Sequence, residues 1–464
     1  MSGDGRAPVA IIGAGVAGLS CAAAIANAVE RDGPVVELID QGSRGRGGRA
    51  SSSRPTTHDP PMVFDHGCQF FTAESEAFRE TCAALERAGH IARWDGRFGT
   101  LDASTGEFRA KSENDAGTKG DDFFRLLAAK DVYVGVPTMR GLCDGLRELI
   151  RENAARDSPQ CAVTSLKRTE ADERQHENKN KNARPWVVSG VGGRALDENQ
   201  PGSREQNLGA FEAVVTTDVM LTKTGTPGSC LLEGVPGISD EDARDDRQED
   251  VSGASARAAA TWRAMESSPA ESLFSLMVAF GGTEEDEDPS VPFDAAVVTG
   301  SNTIQLLVRD SAKPGRADSG ARNRWTVVST AAFAAAAVAD APLSVDGAYN
   351  PQTAAYLERV TPAMVEATRD LLRSASSRAR RRGVDDELTP TDMYRDPPTH
   401  ARSQRWGHAF PKRGWGGAAF AWDPALRFGA CGDFAAGPGV EAAWTSGAQA
   451  GAAVAKTMRG EGNG

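Results

Sequence analysis

Six residues near the start of the chain, Gly13-Ala14-Gly15-Val16-Ala17-Gly18, have the GxGxxG spacing that suits capture of a diphosphate. The chemistry is steric and electrostatic. The first glycine permits a tight turn off a strand, the second lets backbone approach a pyrophosphate, and the third lets a helix pack closely, while the helix N-terminus offers amides and partial positive charge. The pattern alone is weak, so its surroundings decide its value. Val9-Ala10-Ile11-Ile12 reads as a strand, Val16 to Ala28 as a small-residue helix, and Val35 to Ile39 as a second strand ending in Asp40. A carboxylate placed there can accept a hydrogen bond from an adenosine ribose. Glu37, on the same strand, is the rival for that role.

A nicotinamide dehydrogenase needs only this unit, yet here a further loop follows, Arg44-Gly45-Arg46-Gly47-Gly48-Arg49. It resembles the RxGGR segment of the flavin-containing amine oxidase superfamily. Phe64-Asp65-His66-Gly67-Cys68-Gln69-Phe70-Phe71-Thr72 is similar to the FDHGAQYFT segment of the renalase-like branch of that superfamily. Tyr133 to Met139, Arg405-Trp406-Gly407-His408-Ala409, Gly432-Asp433 and Gly439 to Gly447 extend the resemblance over nearly the whole chain. It implies FAD, held as follows. Gly47 and Gly48 let the chain pass under the ribityl-pyrophosphate, and Arg49 neutralises phosphate. Gly432 and Asp433 meet the ribityl chain and phosphate, and the backbone of Val163 meets the adenine. Val440 opens a helix whose amides face the pyrimidine end of the flavin, where the dipole stabilises negative charge. Thr216-Thr217-Asp218 departs from the Ala-Thr-Pro-like turn of relatives, and polar insertions near Asp172 to Asn182 and Asp240 to Asp250 are atypical.

A flavin carries the redox chemistry itself, so the protein need only bind, orient and exclude water. The expected substrate-face residues are His66, Gln69, Trp406 and His408. The renalase resemblance implies oxidation of isomeric dihydronicotinamide dinucleotides by oxygen. The alternatives are oxidation of an amine and a non-catalytic FAD-binding protein. Amine oxidases frame the flavin with two aromatic rings; the chain has four tyrosines, none in the C-terminal segment, and Trp406 and Trp444 could substitute. His58, His90, His176 and His400 read as ordinary core or surface residues, and no His, Cys or carboxylate cluster has metal-ligand spacing. No cysteine or histidine sits in a recognisable flavinylation segment, so the expected FAD is non-covalent.

These residues require elements at both ends of the chain. Ser75 to Ala88 reads as a helix capped by Gly89, and Ala162 to Leu166 with Trp186 to Val188 as an antiparallel hairpin. Phe211 to Val215 reads as one short strand, Thr361 to Ser374 as an amphipathic helix, and Glu441 to Met458 as a small-residue helix. Ser272 to Phe280, Ala295 to Val298, Ile304 to Val308 and Trp325 to Thr330 suggest a mainly antiparallel sheet. The acidic clusters Asp240 to Asp250 and Glu284 to Asp288 and the basic run Arg378 to Arg382 read as surface features. The fold class expected is therefore α/β, with a discontinuous Rossmann-like FAD-binding domain (1–74, 160–222, 400–464). An α+β substrate domain (75–159, 223–399) is inserted into it.

A chain of 464 residues supports two packed domains. A net charge of −12 disfavours nucleic acid and anionic membranes as partners. Seven scattered cysteines without a CxxC pair suit a reducing compartment. With no room upstream of the first strand for a signal, the cytoplasm is the expectation.

Overall fold

A computed structural model describes residues 9–29, 35–42, 45–55, 61–112, 122–169, 186–192, 205–223, 230–233, 253–281, 291–316, 323–342, 344–345, 348–350, 352–381 and 393–460. The expected hairpin tip, the two acidic clusters, Arg44, Arg382, His58 and His176 lie outside them.

Val9–Ile12 is buried at every position, as a strand covered on both faces of a parallel sheet must be. It sits inside a six-stranded sheet ordered Phe420–Asp423, Phe428–Cys431, Ala213–Thr216, Val9–Ile12, Val36–Asp40, Ala155–Pro159. All its pairings are parallel except the edge strand Phe420–Asp423. From Val9–Ile12 the chain moves to one side, to Val36–Asp40, and later returns on the other, to Ala213–Thr216. That reversal opens a crevice at the carboxyl ends of the strands, where α/β sheets bind ligands. The helices Val16–Ala28 and Val440–Met458 pack closely because small residues meet there. A Cβ on Gly447 would lie 2.1 Å from the Ala17 carbonyl oxygen, so the distant ends of the chain are in van der Waals contact.

A seven-stranded sheet follows the order His400–Pro411, Ala270–Ala279, Arg324–Ser329, Ile304–Arg309, Ala295–Thr299, Phe98–Asp102, Phe108–Ala110. It is antiparallel except between Ala295–Thr299 and Phe98–Asp102. The four strands expected in the middle of the chain all belong to it. Phe274, Trp325, Met364 and Leu372 share one core cluster, which seats the helix Ala354–Arg381 against this sheet. A four-stranded sheet carries Cys161–Arg168 antiparallel to Trp186–Gly192, as the hairpin reading expects.

Three local expectations change. The stretch Phe211 to Val215 is two strands, not one: Gln206–Phe211 ends in the four-stranded sheet and Ala213–Thr216 enters the six-stranded one. Glu212, between them, accepts from Arg427 Nη1 at 2.8 Å and so fixes the corner. The helix read from Thr361 begins at Ala354 and runs to Arg381, with Pro362 inside it, so Arg378 to Arg381 are helical. The sheets also cross the boundaries drawn at 160 and 400, since Ala155–Pro159 joins the six-stranded sheet and His400–Pro411 the seven-stranded one. By contrast, Glu76–Arg87 is the expected helix, and its Ser75 hydroxyl accepts from Phe78 N at 3.3 Å.

A buried ionic cluster ties the loop that carries Asp65 to the segment that follows Ile304–Arg309. Asp65 Oδ2 accepts from Lys313 Nζ at 2.9 Å and from Arg316 Nη2 at 2.8 Å, and Lys313 also bonds Asp310 Oδ1 at 2.5 Å. Asp65 Oδ1 accepts from Ser52 Oγ at 2.6 Å and from Met139 N at 3.1 Å. Burial alone would raise the Asp65 carboxyl, but Lys313 and Arg316 outweigh it and hold the group far below the usual carboxylate range.

Candidate functional site

A cavity of 1530 Å³ opens at the carboxyl ends of Val9–Ile12, Val36–Asp40 and Ala213–Thr216. Ligand pockets for one small molecule commonly span ~300–1,000 Å³, so this one has room for an extended dinucleotide and a second molecule. Gly15, Gly47, Arg49, Gly432, Asp433 and Val440 all line it. Residues from the first fifty and the last thirty-five positions therefore face one space.

The turn itself explains its glycines. Gly13 has φ +106°, and a Cβ there would lie 2.3 Å from Thr217 Oγ1. At Gly18 a Cβ would lie 1.9 Å from the Gly13 carbonyl oxygen. Gly18 is accordingly buried beneath the turn and is not among the residues lining the cavity, unlike Gly13 and Gly15. It shapes the site without touching its contents. Gly15 differs from both, because the nearest atom to a Cβ there is the Gly47 carbonyl oxygen at 3.9 Å. The space over Gly15 is open, as a cradle for a pyrophosphate must be.

Asp40 lines the cavity, and its two oxygens accept from Ala14 N at 2.7 Å and Gly42 N at 2.8 Å. A carboxylate has about four acceptor positions, which leaves capacity for a ribose hydroxyl. Its rival Glu37 is turned elsewhere and accepts from Ser158 Oγ at 2.7 Å. Val163 is at the wall, as are Gly48 and Arg49. Arg49, expected to neutralise phosphate, is held in a fork by Asp433, with Nη1–Oδ2 and Nη2–Oδ1 both 2.6 Å. Nη1 also donates to the Ala409 carbonyl at 3.1 Å. The guanidinium thus ties the Gly-rich loop to the C-terminal GD pair, a contact across 384 positions. Arg49→Ala is expected to weaken FAD retention about tenfold or more, since it leaves the buried Asp433 carboxylate unpaired. Equilibrium dialysis of wild type and variant against FAD checks this, and equal retention would count against the clasp.

The four expected substrate-face residues also come together. Trp406 Nε1 donates to the His66 carbonyl and to Ser275 Oγ, both at 3.1 Å, and its ring lies 5.4 Å from that of His66. Gln69 Nε2 donates to the Gly67 carbonyl at 2.5 Å. His408 owes its position to a bulge: Glu271 pairs with Phe410 and Leu273 with Trp406, so residues 407–409 face Ser272 alone. Ser272 Oγ donates to the Gly407 carbonyl at 2.7 Å and fixes the extra residues. Bulges commonly re-aim a side chain next to a site.

Burial, with the positive charges of Lys223 and Arg49, pushes the His408 imidazole down to about 4, so the ring is neutral at pH 7. Its Nδ1 is buried and has no hydrogen-bond partner among the described residues. A depressed histidine disfavours folding between about pH 6.5 and 4, because there the unfolded chain binds a proton that the folded chain refuses. Replacing it by glutamine should flatten this acid slope. Urea midpoints at pH 7 and pH 5 provide the check, and an unchanged pH difference in His408→Gln would contradict it.

Several residues at the wall escape sequence reasoning. Asp218, in the atypical Thr-Thr-Asp turn, lies beside Asp40; it accepts from Met220 N at 2.9 Å and Gln41 Nε2 at 3.2 Å. Burial raises its carboxyl. Phe123, Phe124 and Phe410 form an aromatic wall, with Phe124 edge-on to Phe410 at 4.9 Å. Phe124 (φ 48°) and Arg125 (φ 59°) are consecutive left-handed residues, a conformation that costs about 1–3 kcal/mol at each non-glycine position. The adjacent phenylalanines were the one visible signal.

Among the described residues no group of three or more His, Cys, Asp or Glu side chains could hold a metal ion, and no helix is long and apolar enough to cross a membrane.

Residues 11–85 match the model of a family described as "NAD(P)-binding Rossmann-like domain". The chain carries a Rossmann-like dinucleotide-binding unit. Among solved structures it is similar to a p-nitrophenol 4-monooxygenase, PnpA, from Pseudomonas putida DLL-E4. The identity is 13%, the TM-score 0.47, and the match covers 99% of this chain and 81% of that one.

Proposed function

We propose that this chain is an FAD-dependent oxidoreductase of renalase-like type that binds FAD without a covalent bond and oxidises a small or nucleotide substrate with oxygen. The reading rests on one observation: Gly15, from the first turn, and Asp433, from the C-terminal GD pair, line the same cavity. The residues present fit the cofactor. Open space over Gly15 would take the pyrophosphate, Asp40 the ribose, Val163 the adenine, and the amides at the start of Val440–Met458 the pyrimidine edge. When bound, FAD supplies a two-electron acceptor that oxygen can discharge.

The protein's own part is placement. Trp406, locked by two hydrogen bonds, and His66 give the substrate a fixed surface, while the phenylalanine wall excludes water. Neutral His408, whose Nδ1 has no partner among the described residues, would meet the substrate through a hydrogen bond rather than as a cation.

Oxidation of an amine is the weaker reading. Its aromatic pair would be Trp406 and Trp444, but Trp444 packs on Phe78 at 5.2 Å and is not among the residues lining the cavity. Anaerobic mixing of the yellow protein with isomeric dihydronicotinamide dinucleotides and with a panel of amines separates the readings. Rapid bleaching by the dinucleotides alone is expected. Bleaching by amines would replace the substrate class, and bleaching by neither would favour a non-catalytic FAD-binding protein.

A further inference from the structure

Residues 122–125 lie between the cavity and solvent: Phe123 and Phe124 are half-buried and line the cavity, while Arg125 is exposed. The backbone is held against its preference, since Phe124 and Arg125 both have positive φ. Leu126, at the end of the segment, is fully buried in the core and its carbonyl accepts from Lys111 Nζ at 3.2 Å, so that end is fixed; the contacts of the exposed part are weaker. Arg125 Nε forms an ion pair with Glu74, both side chains being about half exposed, and exposed pairs are weak. Asp122 accepts from Leu127 N and Ala128 N, each at 2.8 Å, and so anchors the far side of the segment. The Phe124 ring meets Phe123 at 4.8 Å and Phe410 at 4.9 Å, both edge-on. Glu74 is itself fixed, because Glu441 accepts from Glu74 N and Ser75 N at 2.7 Å each. Glu441 is in the first turn of Val440–Met458, the helix whose start lines the cavity.

We propose that residues 122–125 form a gate over the cavity, in which Arg125, acting through Glu74 and Glu441, is a positioning residue that holds Phe124 in place as a wall. The strained backbone favours opening, and the weak ion pair with the aromatic contacts favours closure. Two nearly balanced arrangements of one short segment are what a gate requires. The inference rests on the FAD reading of the cavity, because the gate controls access to that cofactor.

The test uses the flavin-loaded protein and an uncharged hydride donor, N-benzyl-1,4-dihydronicotinamide, under anaerobic conditions, so that loss of the Arg125 charge does not itself alter approach. The donor loses a hydride and becomes the pyridinium, and bound flavin gains that hydride with a proton from water. Arg125→Ala and Phe124→Ala are expected to bleach about fivefold faster than wild type, with Arg125→Lys restored to the wild-type rate. A merely structural role would lower the melting temperature and leave the bleaching rate unchanged. A wild-type rate or a slower one in either alanine variant overturns the gate. Wild-type protein that holds no flavin overturns the cofactor reading, and the gate with it.

Discussion

Gly15→Leu is expected to give a folded protein that no longer retains FAD. The glycine lies at the head of Val16–Ala28, and no atom stands closer to a Cβ there than the Gly47 carbonyl oxygen at 3.9 Å. A side chain can therefore be accommodated by the protein alone, and it would occupy the space through which a pyrophosphate approaches the helix amides. Loss of that approach removes several charge-assisted hydrogen bonds at once, each worth about 1.5–3 kcal/mol, so affinity should fall by at least about a hundredfold. Gly15→Ala, with one carbon, should lose less. Circular dichroism and a melting curve would show the fold retained, while absorbance of the gel-filtered protein reports the flavin. Full flavin content in Gly15→Leu would mean that the dinucleotide lies elsewhere. The same substitution at Gly18 tests a different property, because a Cβ 1.9 Å from the Gly13 carbonyl oxygen must displace backbone. Gly18→Leu should damage folding itself.

The second large effect concerns stability. Replacing Asp65 by asparagine should cost about 3–5 kcal/mol, because fully buried Arg316 loses its carboxylate partner and fully buried Lys313 is left with Asp310 alone. Against a typical stability of about 5–15 kcal/mol this is a large fraction, visible as a lowered urea midpoint. Lys313→Met should be costly in its own right, and the double variant less costly than the sum, since the two share one interaction. Additive losses would show that Asp65 and Lys313 do not act together. The pH dependence has a definite sign. A carboxylate held below its unfolded value contributes stability that is complete above about pH 4 and is lost as pH falls further. Asp65→Asn removes that component, so the variant should lose less stability than wild type on going from pH 5 to pH 3. The His408 effect belongs to a higher range, between about pH 6.5 and 4, and the two can be separated by range.

What could be read from the sequence was local. The turn from Gly13 to Gly18, the strand before it and the carboxylate after the next strand lie within some thirty residues, and each glycine answers a steric demand visible in the pattern. Four inner strands of the seven-stranded sheet follow from their apolar runs, and the C-terminal helix from its small residues. The failures have physical causes. Phe211 to Val215 carries one charged residue, Glu212, and a single polar position is what ordinary alternation along one strand would show, so it does not mark the change of sheet there. Thr361-Pro362 resembles the opening of a helix, because proline suits a first turn, and it concealed the turns that precede it.

Long-range polar contacts were not legible at all. Arg49 and Asp433 were each picked out, but for a phosphate and not for each other. Asp65 and Lys313 stand 248 positions apart, and neither carries a local mark of the cluster they form. His408 was a candidate by motif alone, whereas the bulge that aims it depends on pairing with Ala270–Ala279. Trp444 shows the converse: its sequence position fits a partner for Trp406, and packing on Phe78 takes it elsewhere.

The account depends on both ends of the chain embracing one flavin dinucleotide. The most direct measurement is the visible spectrum of the purified protein, followed by acid precipitation and mass analysis of the released chromophore. The account predicts a yellow protein with about one flavin per chain, released by acid and identified as FAD. A colourless protein that takes up no FAD on incubation, or a chromophore without the adenosine diphosphate half, would contradict it.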